Sequence, residues 1–195
     1  RLRAARRHGR AIAFVNAVGV RDELVFDGGS FALAADGEEV VRLRRYAEDV
    51  VTADLDGPAA SPAPEADGED EAERELFAAL AFGIRGFVDG NGLPSVVLGL
   101  SGGVDSALVA ALAVEALGAG RVVAVHVPSR FTDPRSTEAA REVARALGIR
   151  LEERPLEPLL APWEVEAADV LDGGPAGRRT HENLQSRLRT AVLSA

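Results

Sequence analysis

The sequence predicts an α/β chain in two folded parts: a strand-rich first part, a linker, and a second part built as a parallel sheet with flanking helices. Three observations predict it. Short apolar runs separated by turn residues fill positions 11 to 55. Residues 56 to 72 then lose nearly all bulky apolar side chains. From residue 95 onward, apolar runs of strand length alternate with segments of helical periodicity. Consecutive buried strands joined by helices form right-handed crossovers, and hence a parallel sheet.

Composition bounds the function classes. The 195 residues are 47% hydrophobic, enough for a real core. No apolar stretch approaches the roughly 20 residues of a membrane span, and the arginine-rich start lacks the apolar segment of a signal peptide. Zero cysteines exclude disulfides, thiolate metal sites and a cysteine nucleophile within this chain, and they fit a cytoplasmic enzyme. The net charge of −9 argues against nonspecific nucleic-acid binding, which needs clustered cations, although much of the acidity sits in one segment. There is no methionine, the chain opens in Arg1-Leu2-Arg3-Ala4-Ala5-Arg6-Arg7, and it stops at Ala195 inside a helical pattern, so it is expected to be a fragment cut at both ends.

In chain order, an arginine-rich helix end is closed by Gly9, and Ala11 to Asn16 is an apolar run suited to a buried strand. Leu24-Val25-Phe26 reads as a short strand, with Asp27-Gly28-Gly29-Ser30 as its turn. Phe31 to Ala34 and Val40 to Leu43 form a hairpin across Asp36-Gly37, and Asp49 to Leu55 is expected as one more strand. Residues 56 to 72 cannot offset their ordering entropy by burial and read as a linker. From Glu73, the residues Leu76, Phe77, Leu80, Ile84, Phe87 and Val88 fall at helical spacing up to Gly90-Asn91-Gly92, a helix expected to pack on the sheet of the second part. Ser95 to Leu100 is a strand, Ala107 to Leu117 an apolar helix ended by Gly118, and Arg121 to Val127 a second strand. A helix bearing Ala139, Val143 and Leu147 ends at Gly148, before a strand from Ile149 to Arg154. Beyond Pro155, a short helix is expected from Pro162 to Leu171 and a mobile loop over Asp172 to Thr180. A final helix from His181 to Ala195 has Leu184, Leu188, Ala191 and Val192 as its buried stripe. Asn183, Arg187 and Thr190 lie along one edge of that stripe, Gln185 and Arg189 along the other.

The chemistry concentrates in Gly99-Leu100-Ser101-Gly102-Gly103-Val104-Asp105-Ser106, between the apolar run Val96-Val97-Leu98 and the helix that follows. Adjacent glycines allow main-chain N–H groups to approach an anion closely. Asp105 and Ser106 stand where helix N-caps are found, and the helix N-terminus adds partial positive charge. The stretch predicts a phosphate cradle at the carboxyl end of a strand, where open sheets of this type bind ligands. A Walker A loop needs a lysine, and the chain contains none. The dinucleotide fingerprint fails because serine stands at its second glycine. A plain strand-to-helix turn, its glycines serving only tight packing, is the alternative.

S-G-G-V-D-S resembles the pyrophosphate-binding loop of the N-type ATP pyrophosphatases, whose adenine-nucleotide α-hydrolase-like fold adenylates a substrate. Taken with V-P-S-R-F-T (Val127 to Thr132), E-N-L-Q-S-R-L-R (Glu182 to Arg189) and N-A-V-G-V-R-D-E-L-V-F-D-G-G-S (Asn16 to Ser30), the chain resembles the glutamine-dependent NAD synthetases. That resemblance implies that residues 1–55 are the C-terminal part of a nitrilase-like α/β glutaminase domain, 56–72 an acidic Pro/Ala linker, and 73–195 the N-terminal part of an ATP pyrophosphatase domain. It implies ATP bound by Gly99, Leu100, Ser101, Gly102, Gly103, Val104, Asp105 and Ser106, and Mg²⁺ held by Asp105, for which a plain N-cap is the competing role. It further implies that Asn183 and Arg189 bind deamido-NAD, and that the full-length protein is a homo-oligomer. Glutamine would supply ammonia through a Glu-Lys-Cys triad. With neither lysine nor cysteine here, this chain alone is expected to be inactive. Other ATP pyrophosphatases, such as a GMP synthetase-like enzyme, and a noncatalytic adenine-nucleotide binder remain alternatives.

The remaining candidates stay near ordinary roles. His126 is expected as a satisfied strand residue, His8 as a surface residue and His181 as a helix-start residue. Arg130 is open between approaching ATP and lying on the surface, and Arg187 between substrate and solvent.

Overall fold

The computed structural model describes residues 7–22, 24–55, 69–166 and 175–194. By contacts the chain divides into two compact units, Arg1–Gly92 and Leu93–Ala195.

In the first unit, strands β1 (Ile12–Phe14), β4 (Phe31–Leu33) and β5 (Glu39–Arg42) make an antiparallel sheet in the order β1-β4-β5, while β2 (Val18–Arg21) and β3 (Leu24–Asp27) form a separate hairpin. Phe31 and Leu33 are buried against Ile12 and Phe14, with the Phe14 and Phe31 rings stacked at 5.3 Å. The turn at Gly28 and Gly29 runs through the left-handed region, with φ of 70° and 57°. Strand β2 was not anticipated, because Gly19 interrupts its short apolar run. The strand expected over Asp49 to Leu55 does not form. Val50 is 94% exposed, with no sheet face to cover it, and the Asp49 carboxylate instead accepts from the main-chain N–H groups of Arg44 and Val50 at 3.2 and 3.0 Å. The Arg44 N–H and guanidinium, with the Val50 N–H, hold that carboxyl below its ordinary range.

Helix α1 (Glu69–Gly90) starts earlier than its periodicity predicts, within the stretch read as linker; the rest of that stretch, 56–68, lies outside the described residues. Within the first unit, α1 packs on β2 and β3, a surface its periodicity does not specify. Two glycines explain this. A Cβ on Gly86 would meet Val20 Cγ2 at 2.4 Å, and one on Gly83 would meet Val25 Cγ2 at 3.3 Å, so the hairpin lies against a groove that these glycines leave in the helix. The Tyr46 and Phe82 rings, 5.4 Å apart, and an Arg45–Glu75 ion pair extend the contact.

The second unit is the expected α/β sheet. Strands β6 (Val96–Gly99), β7 (Val122–His126) and β8 (Arg150–Glu153) run parallel in that order. Between them lie α2 (Val104–Leu117), a 3₁₀ turn at Ala119–Arg121, and α3 (Pro134–Leu147). The core gathers Leu100, Ala110, Ala113, Val122, Ala124, Ala140, Ala144 and Ile149. Small alanines on the helices let them approach the β-branched and leucine side chains of the sheet. Arg121 ties the bottom of the sheet by donating to the Leu93 and Pro94 carbonyls at 2.8 and 3.0 Å.

After β8, helix α4 (Glu157–Glu166) forms around Leu160, earlier than the expected 162–171, whose last residues lie outside the described ones. Helix α5 (Pro175–Ser194) claims much of the predicted loop. A proline is tolerated in a first helical turn because its missing N–H has no intrahelical acceptor there, so Pro175 opens a helix where composition alone reads loop. Among the described residues, no helix is long and apolar enough to cross a membrane.

Candidate functional site: the loop after the first parallel strand

The candidate site lies at the carboxyl ends of β6 and β7. Where β6 ends, Leu100 N–H donates to Val125 O at 2.9 Å and holds the chain on the sheet as it enters the loop. Gly102 then takes φ +86°, and a Cβ there would lie 2.0 Å from the Ser136 carbonyl oxygen in the first turn of α3. Only glycine fits. Gly103, at φ −84° and ψ 158°, is the N-cap of α2 in a conformation open to any residue.

The two serines staple the turn. Ser106 Oγ donates to Gly103 O at 2.9 Å and accepts from Ser101 N–H at 3.2 Å; it also lies 3.1 Å from Ser101 Oγ, which accepts from Gly103 N–H at 3.3 Å. The loop is thus held in shape by its own hydroxyls. No side chain caps α2, and Ala107 N–H to Gly103 O, at 3.1 Å, is its first helical bond. The N–H groups of Val104, Asp105 and Ser106 therefore have no intrahelical acceptor and carry the positive end of the helix dipole. The capping expected of Asp105 and Ser106 is not seen: both lie inside the first turn, Asp105 is exposed, and Ser106 serves the loop instead.

Across from the loop, a pocket of about 230 Å³ is lined by Gly99, Leu100, Ser101 and residues of β7 and its following segment, and closed by Arg189 and Leu193 of α5. Of the predicted ATP-loop residues, Gly99, Leu100 and Ser101 therefore meet Arg189 at one pocket, while Gly102 to Ser106 do not line it. Asn183 is exposed and does not line it, and Arg187 is exposed as well.

Arg189 is anchored rather than free. Its Nε donates to Val127 O at 3.1 Å, and Nη2 reaches Ser129 Oγ at 3.4 Å and Gln185 Oε1 at 3.3 Å. Gln185, only 7% exposed, is the hub that sequence reasoning placed on the helix edge without a role. Its Oε1 accepts from Ser129 Oγ at 3.0 Å, and its Nε2 donates to His181 Nδ1 at 3.0 Å. His181 then presents Nε2–H to Glu164, which also pairs with Arg130. Those two donors, Arg130 first, hold the Glu164 carboxyl below its ordinary range. Arg130 lies 4.7 Å from the Phe131 ring centroid, and its guanidinium is occupied by Glu164, so it does not line the pocket. One signal was available in the sequence: Gln185 and Arg189 are four residues apart on one helical edge, on the same string as His181.

His126 is buried and fully partnered, with Nδ1 donating to Leu100 O at 2.7 Å and Nε2 facing Thr137 Oγ1 at 3.1 Å, as expected of a strand residue. It links the loop strand to α3. His8 is exposed. His181 lies within α5 rather than at its start. Among the described residues, no group of three or more His, Cys, Asp or Glu side chains gathers to hold a metal.

Residues 76–195 match the family model of NAD synthase. The chain is 42% identical to the glutamine-dependent NAD(+) synthetase of Rhodobacter capsulatus, an alignment covering 96% of this chain and 34% of that protein. It is 35% identical to the Synechocystis enzyme of the same name, covering 98% of this chain and 35% of that one. Among solved structures, the glutamine-dependent NAD+ synthetase of Acinetobacter baumannii, in complex with ADP, superposes with a TM-score of 0.90 at 34% identity, covering 99% of this chain and 37% of that one. The chain thus spans about a third of the length of the relatives it matches.

Proposed function

Because this chain belongs to the NAD synthase family, we propose that it carries the ATP-activating loop of a ligase that converts deamido-NAD to NAD with ammonia drawn from glutamine. The observation that carries the reading is the hydroxyl-stapled loop Ser101 to Ser106, whose first residue lines a pocket together with Arg189. In the first step the carboxylate of the dinucleotide attacks the α-phosphate of ATP and pyrophosphate leaves. In the second, ammonia displaces AMP from the acyl-adenylate and forms the amide. That the Acinetobacter relative was solved in complex with ADP supports an adenine nucleotide as a ligand.

The residues divide the labour by chemistry. The N–H groups of Val104, Asp105 and Ser106 at the helix N-terminus are offered to the departing phosphates, and Ser101 and Ser106, which hold the Gly103 N–H and carbonyl, keep those donors aimed without reorganisation. Arg189 has Nε and Nη2 engaged by protein, which leaves Nη1 for an oxyanion of the dinucleotide. Asn183, exposed on another side of α5, is proposed to meet a more distant part of the same substrate. Asp105 fits a magnesium ion: it is one exposed carboxylate beside a phosphate site, and Mg²⁺ is usually held by one or two carboxylates together with substrate phosphates. When bound, the ion would neutralise charge building on the leaving pyrophosphate.

The reading assigns residues 1–55 to the end of a nitrilase-like glutaminase domain, 56–72 to a linker, and 73–195 to the ATP pyrophosphatase domain. The family match from residue 76 supports the last assignment. The decisive assay is isotope exchange between pyrophosphate and ATP in the intact enzyme. Exchange that requires deamido-NAD and falls at least about a hundredfold in Asp105→Asn is expected. Exchange driven instead by a purine monophosphate acceptor, or none with any acceptor, would overturn the reading.

A further inference from the structure

We infer that Gln185 is a positioning residue that presents Arg189 to the pocket, and that His181 and Glu164 fix which end of its amide does so. The inference rests on the proposed role of Arg189. Gln185 is buried on α5, and its two amide atoms face opposite ways along a hydrogen-bonded chain: Oε1 toward Ser129 Oγ and Arg189 Nη2, Nε2 toward His181 Nδ1. The reversed amide would set an NH₂ group against the guanidinium, a donor against a donor, so the orientation matters. What enforces it is the imidazole. In the neutral imidazole, with Nε2–H given to Glu164, Nδ1 is left as an acceptor, and Gln185 turns its NH₂ there.

The consequence is that Arg189 is held from two sides, by Val127 O on Nε and by the Ser129–Gln185 pair on Nη2. A planar guanidinium fixed at both positions has little freedom left, and the ordering cost is met by the fold before substrate arrives. The segment after β7 and helix α5 are thereby joined through one side chain that need not touch substrate.

Kinetics of the intact enzyme test this. Gln185→Met, similar in length but only a weak acceptor, is expected to raise KM for deamido-NAD about tenfold or more, while kcat stays within about threefold. Gln185→Glu keeps an acceptor for Arg189, takes an N–H from His181 Nδ1 in place of the amide's own, and is expected to restore KM to within about threefold of the parent. Combined with Arg189→Leu, Gln185→Met adds nothing further if it acts through that arginine. Equal losses in the Met and Glu variants, or effects that multiply with Arg189→Leu, overturn the proposal. If Arg189→Leu leaves KM unchanged, the substrate role of Arg189 is what fails. A crystal structure of Gln185→Met then decides the inference: displacement of the guanidinium from Val127 O supports it, and an unmoved guanidinium overturns it. Should Gln185→Met not fold, Ser129→Ala, which takes one hydroxyl from the same oxygen, carries the test; a KM raised about threefold supports positioning, and an unchanged KM overturns it.

Discussion

Two adjacent glycines in the loop do different work. Gly102 is dictated by the fold: its φ of +86° and the Ser136 carbonyl 2.0 Å from a built Cβ leave no room for a methyl group. Gly103 has an ordinary extended conformation, and a Cβ there would sit 3.4 Å from Ser101 Oγ, in normal contact. If the cradle binds phosphate, the second glycine is needed for the ligand, to let the N–H groups at the start of α2 be approached. Gly102→Ala is therefore expected to cost about 2–3 kcal/mol of stability, seen as a lowered urea midpoint. Gly103→Ala is expected to keep stability within about 0.5 kcal/mol while weakening ATP binding by calorimetry. A Gly103→Ala protein that binds ATP as the parent does would remove the phosphate role from that residue. In the sequence the pair looked alike, because which glycine meets the backbone of α3 depends on a contact across more than thirty positions.

At the scale of elements, the legible features were those set by local pattern. Apolar runs marked β6, β7 and β8, and Gly118 and Gly148 marked the ends of α2 and α3. Gly148 takes a left-handed C-cap at φ 66°, and the Asp133 side chain with Pro134 starts α3. Less legible were elements decided by partners. Val50 and Val51 are sequence-suited to a strand but pair with no other strand among the described residues, and Pro175 hid the first turns of α5. The Ser129–Gln185–His181–Glu164–Arg130 chain joins three segments, and apart from Gln185–His181, one helical turn apart, its bonds are written in no single one of them. Its outer end makes a pH prediction. Glu164 has its folded pKa lowered by Arg130 and then by His181, so its contribution is fully present above the ordinary glutamate range and is lost as pH falls through the lowered folded value. Parent and Glu164→Gln proteins are thus expected to differ in urea midpoint at pH 7 and to draw together as pH falls below the ordinary glutamate range and through the lowered folded value. A gap that persists unchanged into acid would show that the carboxylate pairings contribute nothing to stability.

For the whole molecule, the instructive element is α1, where sequence and contact give different allegiances. The NAD synthase match begins at residue 76, inside this helix, and its apolar spacing invites docking on the parallel sheet. Yet α1 packs on the β2–β3 hairpin, and the compact unit it belongs to ends at Gly92. The sequence could not disclose this, since a helical stripe specifies that a face is covered and leaves the covering surface open. Gly83 and Gly86 were the available clue: two glycines one turn apart lower helix propensity, a cost of about 1 kcal/mol each that makes sense where another backbone must come close. If the contact is as described, filling or charging it will release α1 together with the hairpin. Val20→Asp sets a carboxylate against the Gly86 groove, and it is expected to speed amide hydrogen exchange across α1 and β2–β3 while β6, β7 and β8 keep the protection of the parent. Exchange measured by mass spectrometry separates these peptides. Acceleration confined to the hairpin, with α1 as protected as before, would mean that the helix draws its stability from elsewhere, and the boundary between the units would move back toward residue 69.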